Sequence, residues 1–249
     1  MNRYSFVCEI GYGSYGKVYK AVDRRDKRVV AIKVVEGNCL NEIDLMKKFN
    51  GPNFVEFYED FSNEKNKFIV QEYCSHGNIC RLKKFANERI ALSIIKEVSK
   101  SLLIIHSNGY IHMDVKPQNI LISRIGEIKL GDFGIAKKET EKVIAEGTKI
   151  YMAPEILQDG IITQASDIYS LGVTVFEILT GFPLIFNENQ TFSSWISENN
   201  SKWSAKLTTL LSSMLENLPE RRISARDLLS NQVIRDHPDS WLVINFALY

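Results

Sequence analysis

Cysteine is sparse in this chain: 249 residues contain only Cys8, Cys39, Cys74 and Cys80, with no CxxC pair and no histidine companion at metal-ligand spacing. A disulfide framework or a zinc site is thereby excluded, and a reducing compartment suits the count. Proline is scarce too, at six residues, and neither a low-complexity stretch nor an internal repeat appears, which excludes a proline-rich spacer or a solenoid. No charge of one sign dominates. Thirty-one basic residues stand against thirty acidic ones, so nothing global points to nucleic acid or an anionic membrane as partner. Long apolar runs are missing: Trp241 to Ile244, continuing to Tyr249, falls well short of the roughly 20 residues a bilayer requires and is expected to pack on the domain. The opening Met1 to Ser5 has no apolar stretch or small-residue cleavage site, so no export is expected, and the chain is placed in the cytoplasm, the nucleus or both.

What is present is enough apolar material for a large core, 45% of the residues, in one or two domains. From Tyr4 to about Tyr73 short β-rich runs dominate: Phe6 to Ile10, Lys17 to Val22, Val29 to Val35, Phe54 to Phe61 and Phe68 to Glu72. Turn-formers and charged residues separate them, which predicts a small antiparallel sheet. Beyond Cys74 the apolar period becomes helical over Arg89 to Ser107, Ser166 to Leu179 and Ser204 to Leu215. The join from Cys74 to Asn78 is too short for a tether, so residues 1–73 and 74–249 are expected to be two lobes meeting at a cleft.

Gly11-Tyr-Gly13-Ser-Tyr-Gly16-Lys-Val18 has a GxGxxGxV spacing that lets backbone approach phosphates where Cβ atoms are missing. A dinucleotide-binding fold would need a helix after the last glycine; Val18 to Val22 instead reads as a strand, so a hairpin lid is the better interpretation. Lys33 closes the apolar run Val30-Ala31-Ile32, and a lysine there is costly to bury unless it has a task. Farther on, His112-Met113-Asp114-Val115-Lys116-Pro117-Gln118-Asn119 is followed by Asp132-Phe133-Gly134, 18 residues after Asp114. An acid, a lysine, an amide and a second acid stand where phosphoryl transfer from ATP would need them.

Together these motifs resemble the eukaryotic protein kinase family, of serine/threonine type, across nearly the whole chain. The resemblance implies an α+β bilobal fold, a single catalytic domain with a small antiparallel-sheet N-lobe bearing one helix and a larger, mainly helical C-lobe. It implies ATP and Mg2+ as cofactors. Asp114 would accept or orient the proton of the acceptor hydroxyl, Lys116 would neutralise charge on the transferred group, and Lys33 would bind the α and β phosphates. Asn119 and Asp132 would supply oxygen ligands to magnesium. The nucleotide would further meet Ile10, Gly11, Gly13, Gly16, Val18, Ala31, Glu72, Cys74 and Leu121. Glu42, on a helix resembling the family's C helix, is the expected partner of Lys33, although only nine residues separate them; that helix is expected to have lost its opening turns, and Glu36 is the alternative. Asp167 resembles an acid that braces the catalytic loop, and Glu155 and Arg222 a structural ion pair.

The activation segment runs from Asp132 to Glu155, with Thr140, Thr148 and Tyr151 as candidate phosphoacceptors. Met113 replaces the arginine that the family commonly uses to hold a phosphorylated segment; methionine offers no charge or donor, so activity is expected without such phosphorylation. His-Met-Asp-Val-Lys-Pro, the hinge-like Gln71-Glu72-Tyr73-Cys74 and a polar Gln71 at the gatekeeper place are similar to the Wee and Myt branch. Thr148 argues the other way. The expected partner is a protein substrate, a cyclin-dependent kinase being one candidate and tyrosine specificity a further reading, acted on by a monomer. A pseudokinase scaffold is the alternative from another class, and a small-molecule kinase a third.

Overall fold

A computed structural model describes residues 3–13, 16–139, 147–182, 184, 192, 195 and 202–239. Strands β1 (Tyr4–Gly13), β2 (Gly16–Asp23), β3 (Val29–Glu36), β4 (Phe57–Ser62) and β5 (Asn66–Glu72) form one antiparallel sheet in the order β1-β2-β3-β5-β4. The period of two along β3 sorts its side chains. Val30 and Ile32 join Tyr4, Ala21, Phe68 and Val70 in a small apolar cluster, while Ala31 and Lys33 fall on the opposite face, toward the cleft. Pairing Ile32 with Val70 and Lys33 with Ile69 fixes this choice, since a slip of one residue would drive the lysine into the apolar cluster.

The strand expected from Phe54 starts at Phe57 instead. Asn50 ties off both backbone groups of Phe57, its Nδ2 donating to the carbonyl at 3.0 Å and its Oδ1 accepting from the N–H at 3.0 Å. Phe54 is thereby released to bridge Leu130 in parallel, with the Val55 N–H donating to the Leu130 carbonyl at 3.1 Å. The two lobes are stitched at that point.

Helix α1 (Leu40–Lys48) is nine residues long and has no side-chain cap from Cys39. So short a helix is marginal alone; the buried stripe Glu42, Ile43, Leu45 and Met46 holds it. Phe49, just beyond its end, stacks on Phe133 with centroids 5.6 Å apart.

In the C-lobe, α2 (Glu88–Ser107), α3 (Pro154–Asp159), α4 (Gln164–Thr180), α5 (Ala205–Met214), α6 (Ala225–Ser230) and α7 (Gln232–Arg235) surround one continuous core. The periodicity located α2, α4 and α5 to within two residues at each end. Burial of α4 is unbroken from Ser166 to Ile178, the mark of a central helix packed on all sides. A capping box between Thr163 and Ser166 opens it, and Gly181, at φ +85°, closes it. Two short ladders, β6 (Tyr110–Ile111) with β9 (Lys137–Lys138) and β7 (Ile120–Ile122) with β8 (Ile128–Leu130), frame the loop of residues 112–119. Among the described residues no helix is long and apolar enough to cross a membrane. The expected packing of Trp241 to Tyr249 lies outside the described residues, as does Thr140.

Candidate active site

A cavity of about 750 Å³ opens between the sheet and the helical half. Its walls include Ile10, Gly11, Gly16, Val18, Ala31, Lys33, Glu42, Glu72, Cys74 and Leu121, together with Asp114, Lys116, Asn119 and Asp132. Gly13 pairs with Gly16 across the β1–β2 turn. Gly16 has its own backbone reason to be glycine. Its φ is +130°, and a Cβ there would overlap the Val34 carbonyl oxygen. At Gly11 a Cβ would meet only Val18, at 3.7 Å, so the protein itself does not demand glycine and the missing atom widens the cavity wall.

Lys33 joins the two sides of the site. Its Nζ donates to Glu42 Oε1 at 2.6 Å and to Asp132 Oδ1 at 2.9 Å, with Lys33 6% and Glu42 4% exposed. Burial alone would lower the lysine pKa; Asp132 and Glu42 outweigh it and hold the ammonium well above its ordinary value. For Glu42 burial wins, lifting the carboxyl above its usual value in spite of Lys33. Asp132 goes the other way: burial would raise it, but the Lys33 charge and hydrogen bond hold it low. Glu36 is exposed at the end of β3, so Glu42 takes the partnership.

The loop of residues 112–119 hangs from α4. Asp167 accepts from the His112 N–H and the Met113 N–H, each at 2.8 Å, and from His106 Nε2 at 2.8 Å. The His106 hydrogen bond outweighs the opposing effect of burial and keeps Asp167 below the usual carboxylate range. These bonds stabilise a backbone that non-glycine residues rarely adopt, Met113 at φ +68°; beyond the loop Asp132 also has a positive φ, +62°. His112 Nδ1 accepts from the Asp114 N–H at 3.3 Å, and its Nε2–H donates to the Gly131 carbonyl at 3.1 Å, which fixes the tautomer. Asn119 Nδ2 donates to the Asp114 carbonyl at 2.9 Å and to Asp114 Oδ2 at 2.8 Å. Lys116 Nζ lies 2.7 Å from Asp114 Oδ2 and donates to Thr148 Oγ1 at 2.9 Å. Among the described residues Asp114 Oδ1 has no hydrogen-bond donor, and it faces Gly147, where an added Cβ would stand 3.6 Å away.

One expectation needs correction. Tyr151 is a poor phosphoacceptor as it stands, because it is buried and its hydroxyl donates to Glu177 Oε2 at 2.6 Å. Glu72 lines the cavity, yet its carboxylate accepts from Lys129 Nζ at 2.8 Å, which leaves its backbone to face a ligand. The Cys74 thiol is pushed up to about 12 by burial and Glu72, so it serves as an apolar wall. Gln71 is half-buried and lines the cavity, as its gatekeeper place implies. The sequence reading missed Val55, whose Cγ2 would lie 2.9 Å from a Cβ on Gly131, as well as Lys129 and Glu177. Nothing local marks these three, since each acquires its role from a partner at least 26 residues away.

Among the described residues no cluster of three histidine, cysteine or carboxylate ligands would hold a metal by itself. The cleft offers a weaker oxygen set. Turning Asn119 Nδ2 toward Asp114 leaves the amide Oδ1 without a donor among the described residues, as is Asp132 Oδ2. One carboxylate and one amide oxygen suit magnesium, which takes few protein ligands and completes its shell with phosphates and water.

Residues 4–234 match the protein kinase domain family. The chain is 34% identical over 254 residues to serine/threonine-protein kinase 4 homolog A of Dictyostelium discoideum, covering 93% of this chain and 55% of that protein. It is 32% identical over 256 residues to serine/threonine-protein kinase 1 of Arabidopsis thaliana, covering 93% and 31%. To serine/threonine-protein kinase hippo of Drosophila melanogaster it is 30% identical over 255 residues, covering 94% and 38%. The chain thus spans from about a third to just over half the length of these relatives. Their names are those of serine/threonine kinases, and the likeness to the Wee and Myt branch finds no support in them.

Proposed function

The chain belongs to the protein kinase domain family, and from that premise we propose that it transfers the γ-phosphoryl group of ATP to a serine or threonine hydroxyl of a protein. The observation that carries the reading is Lys33 bridging Glu42 and Asp132 in the cavity that also holds Asp114, Lys116 and Asn119. The acceptor oxygen forms a bond to the γ phosphorus, the bond from that phosphorus to the bridging oxygen of ADP breaks, and the hydroxyl proton passes to Asp114. Oδ1 is the oxygen free to take it, because Oδ2 is already held by Lys116 and Asn119. Lys116 places a fixed positive charge beside the transferred group, and Lys33 does so at the inner phosphates. Asn119 and Asp132 would hold magnesium, which would supply charge neutralisation and ordering of the phosphate oxygens. The Lys116–Thr148 contact and the relatives' names support serine or threonine as acceptor. The four free thiols support a cytoplasmic or nuclear setting.

The test is Mg-ATP-dependent labelling of a generic protein by the wild type and Asp114→Asn, with ATP binding measured separately. Transfer should fall by about 10²–10⁴-fold in the variant while nucleotide binding persists. ATP binding by the wild type with no transfer to any substrate would instead establish a scaffold. A purified cyclin-dependent kinase belongs in the same panel; its selective labelling on tyrosine would revive the Wee-type assignment and a role in the cell cycle.

A further inference from the structure

We propose that Arg81 selects protein substrates that carry an aspartate or glutamate close to the acceptor hydroxyl. The inference rests on the phosphotransfer reading above and names the substrate class of that same site. It starts from the charges that line the cleft. Among the described residues four acids line it, and each is already paired: Glu42 with Lys33, Glu72 with Lys129, Asp114 with Lys116 and Asp132 with Lys33. A fifth carboxylate, Glu177, lies behind Tyr151, and it too is spent. Its Oε1 accepts from Lys83 Nζ at 2.7 Å and its Oε2 from the Tyr151 hydroxyl at 2.6 Å. Among the described residues, every carboxylate there already has a cationic partner that a basic substrate side chain would have to share.

Among the cations lining the cleft, Lys33 and Lys116 are occupied in the same way. Arg81 differs. It is exposed, lines the cleft, and has no carboxylate partner among the described residues. Among the described residues its side chain makes one hydrogen bond, from Nη1 to the His76 carbonyl at 2.8 Å. That bond holds the side chain along Gly77, where an added Cβ would stand 3.6 Å from Arg81 Cδ. The short 3₁₀ turn Ile79–Phe85 that carries Arg81 is anchored by Asn78, whose Oδ1 accepts from the Cys80 N–H at 3.1 Å. The guanidinium is therefore pre-positioned, with most of its five N–H donors still available, and a planar fork of this kind matches a carboxylate.

The experiment compares matched peptides that share one acceptor serine and differ only in flanking glutamate or lysine, at saturating Mg-ATP, with the wild type, Arg81→Ala and Arg81→Glu. The wild type should favour the acidic peptide in kcat/KM by about three- to tenfold, less at high salt. Arg81→Ala should bring the ratio close to one, and Arg81→Glu should invert it. Equal use of both peptides by the wild type, or a ratio that survives in Arg81→Ala, overturns the assignment. A raised KM for ATP in the variants with the peptide ratio unchanged also overturns it, by giving Arg81 to the nucleotide. Absence of transfer to every peptide sinks the phosphotransfer reading itself.

Discussion

Replacing Lys33 by methionine keeps most of the apolar stem and removes the charged end, and the structure sets how much that should cost. Two charge-assisted hydrogen bonds disappear, at 2.6 Å to Glu42 and 2.9 Å to Asp132. Asp132 reaches the open cleft and can be solvated, whereas Glu42 is left as a buried carboxylate with no cation. Its pKa, already lifted by burial, climbs further, and the group takes up a proton rather than stay charged. That escape limits the damage. Protonating a carboxyl of ordinary pKa 4.5 near neutral pH costs about 3.4 kcal/mol, which a domain stable by about 5–15 kcal/mol survives. Transfer to protein should meanwhile fall by at least about 10²–10³-fold, because an apolar group cannot replace a cation aimed at developing charge. Urea unfolding gives the stability arm. In the variant Glu42 binds a proton that the unfolded chain releases, so the deficit relative to wild type should shrink by about 1–3 kcal/mol between about pH 7.5 and about pH 5.5. A deficit that does not change with pH would refute the burial argument for Glu42, and near-normal transfer would refute the role of Lys33.

Breaking the ion pair behind the activation segment should cost more stability than any change in the cleft. Arg222 donates to both oxygens of Glu155, at 2.7 and 3.0 Å, and to the carbonyls of Ala165, Glu216 and Asn217; Arg222→Met should therefore lose about 3–5 kcal/mol and lower Tm by about 10 °C in a thermal melt. A shift below about 2 °C would show the pair to be dispensable. Acid should weaken the fold through Asp132 and Asp167. Both carboxyls are held below the ordinary 3.8, so their stabilisation is complete above that value and drains away as pH falls through the lower folded values. Asp167→Asn, which turns an amide toward donors, should flatten that acid limb of the urea-midpoint profile; an unchanged limb would exonerate Asp167. Finally, buried Met113 offers no charge to a phosphate, and phosphatase-treated enzyme should turn over as fast as untreated enzyme, a large loss being the contrary result.

Where chemistry sits next to itself along the chain, the sequence alone was decisive. Asp114, Lys116 and Asn119 occupy five consecutive steps of one loop, and its spacing to Asp132 leaves few geometries. The apolar run Val30 to Ile32 likewise marked Lys33 as a lysine that needs a task, while the register of β3 against β5 decided which face it takes. Tertiary structure decided what depends on distance across the fold. The choice of Glu42 over Glu36 required α1 to dock its buried stripe, because a helix of nine residues gains its stability from packing and leaves little trace in local pattern. That the Tyr151 hydroxyl is sequestered by Glu177, that Lys129 takes the Glu72 carboxylate, and that Arg81 lacks any such acid among the described residues could be read only in three dimensions. Charge pairing follows spatial neighbourhood, and sequence separation carries almost no information about it.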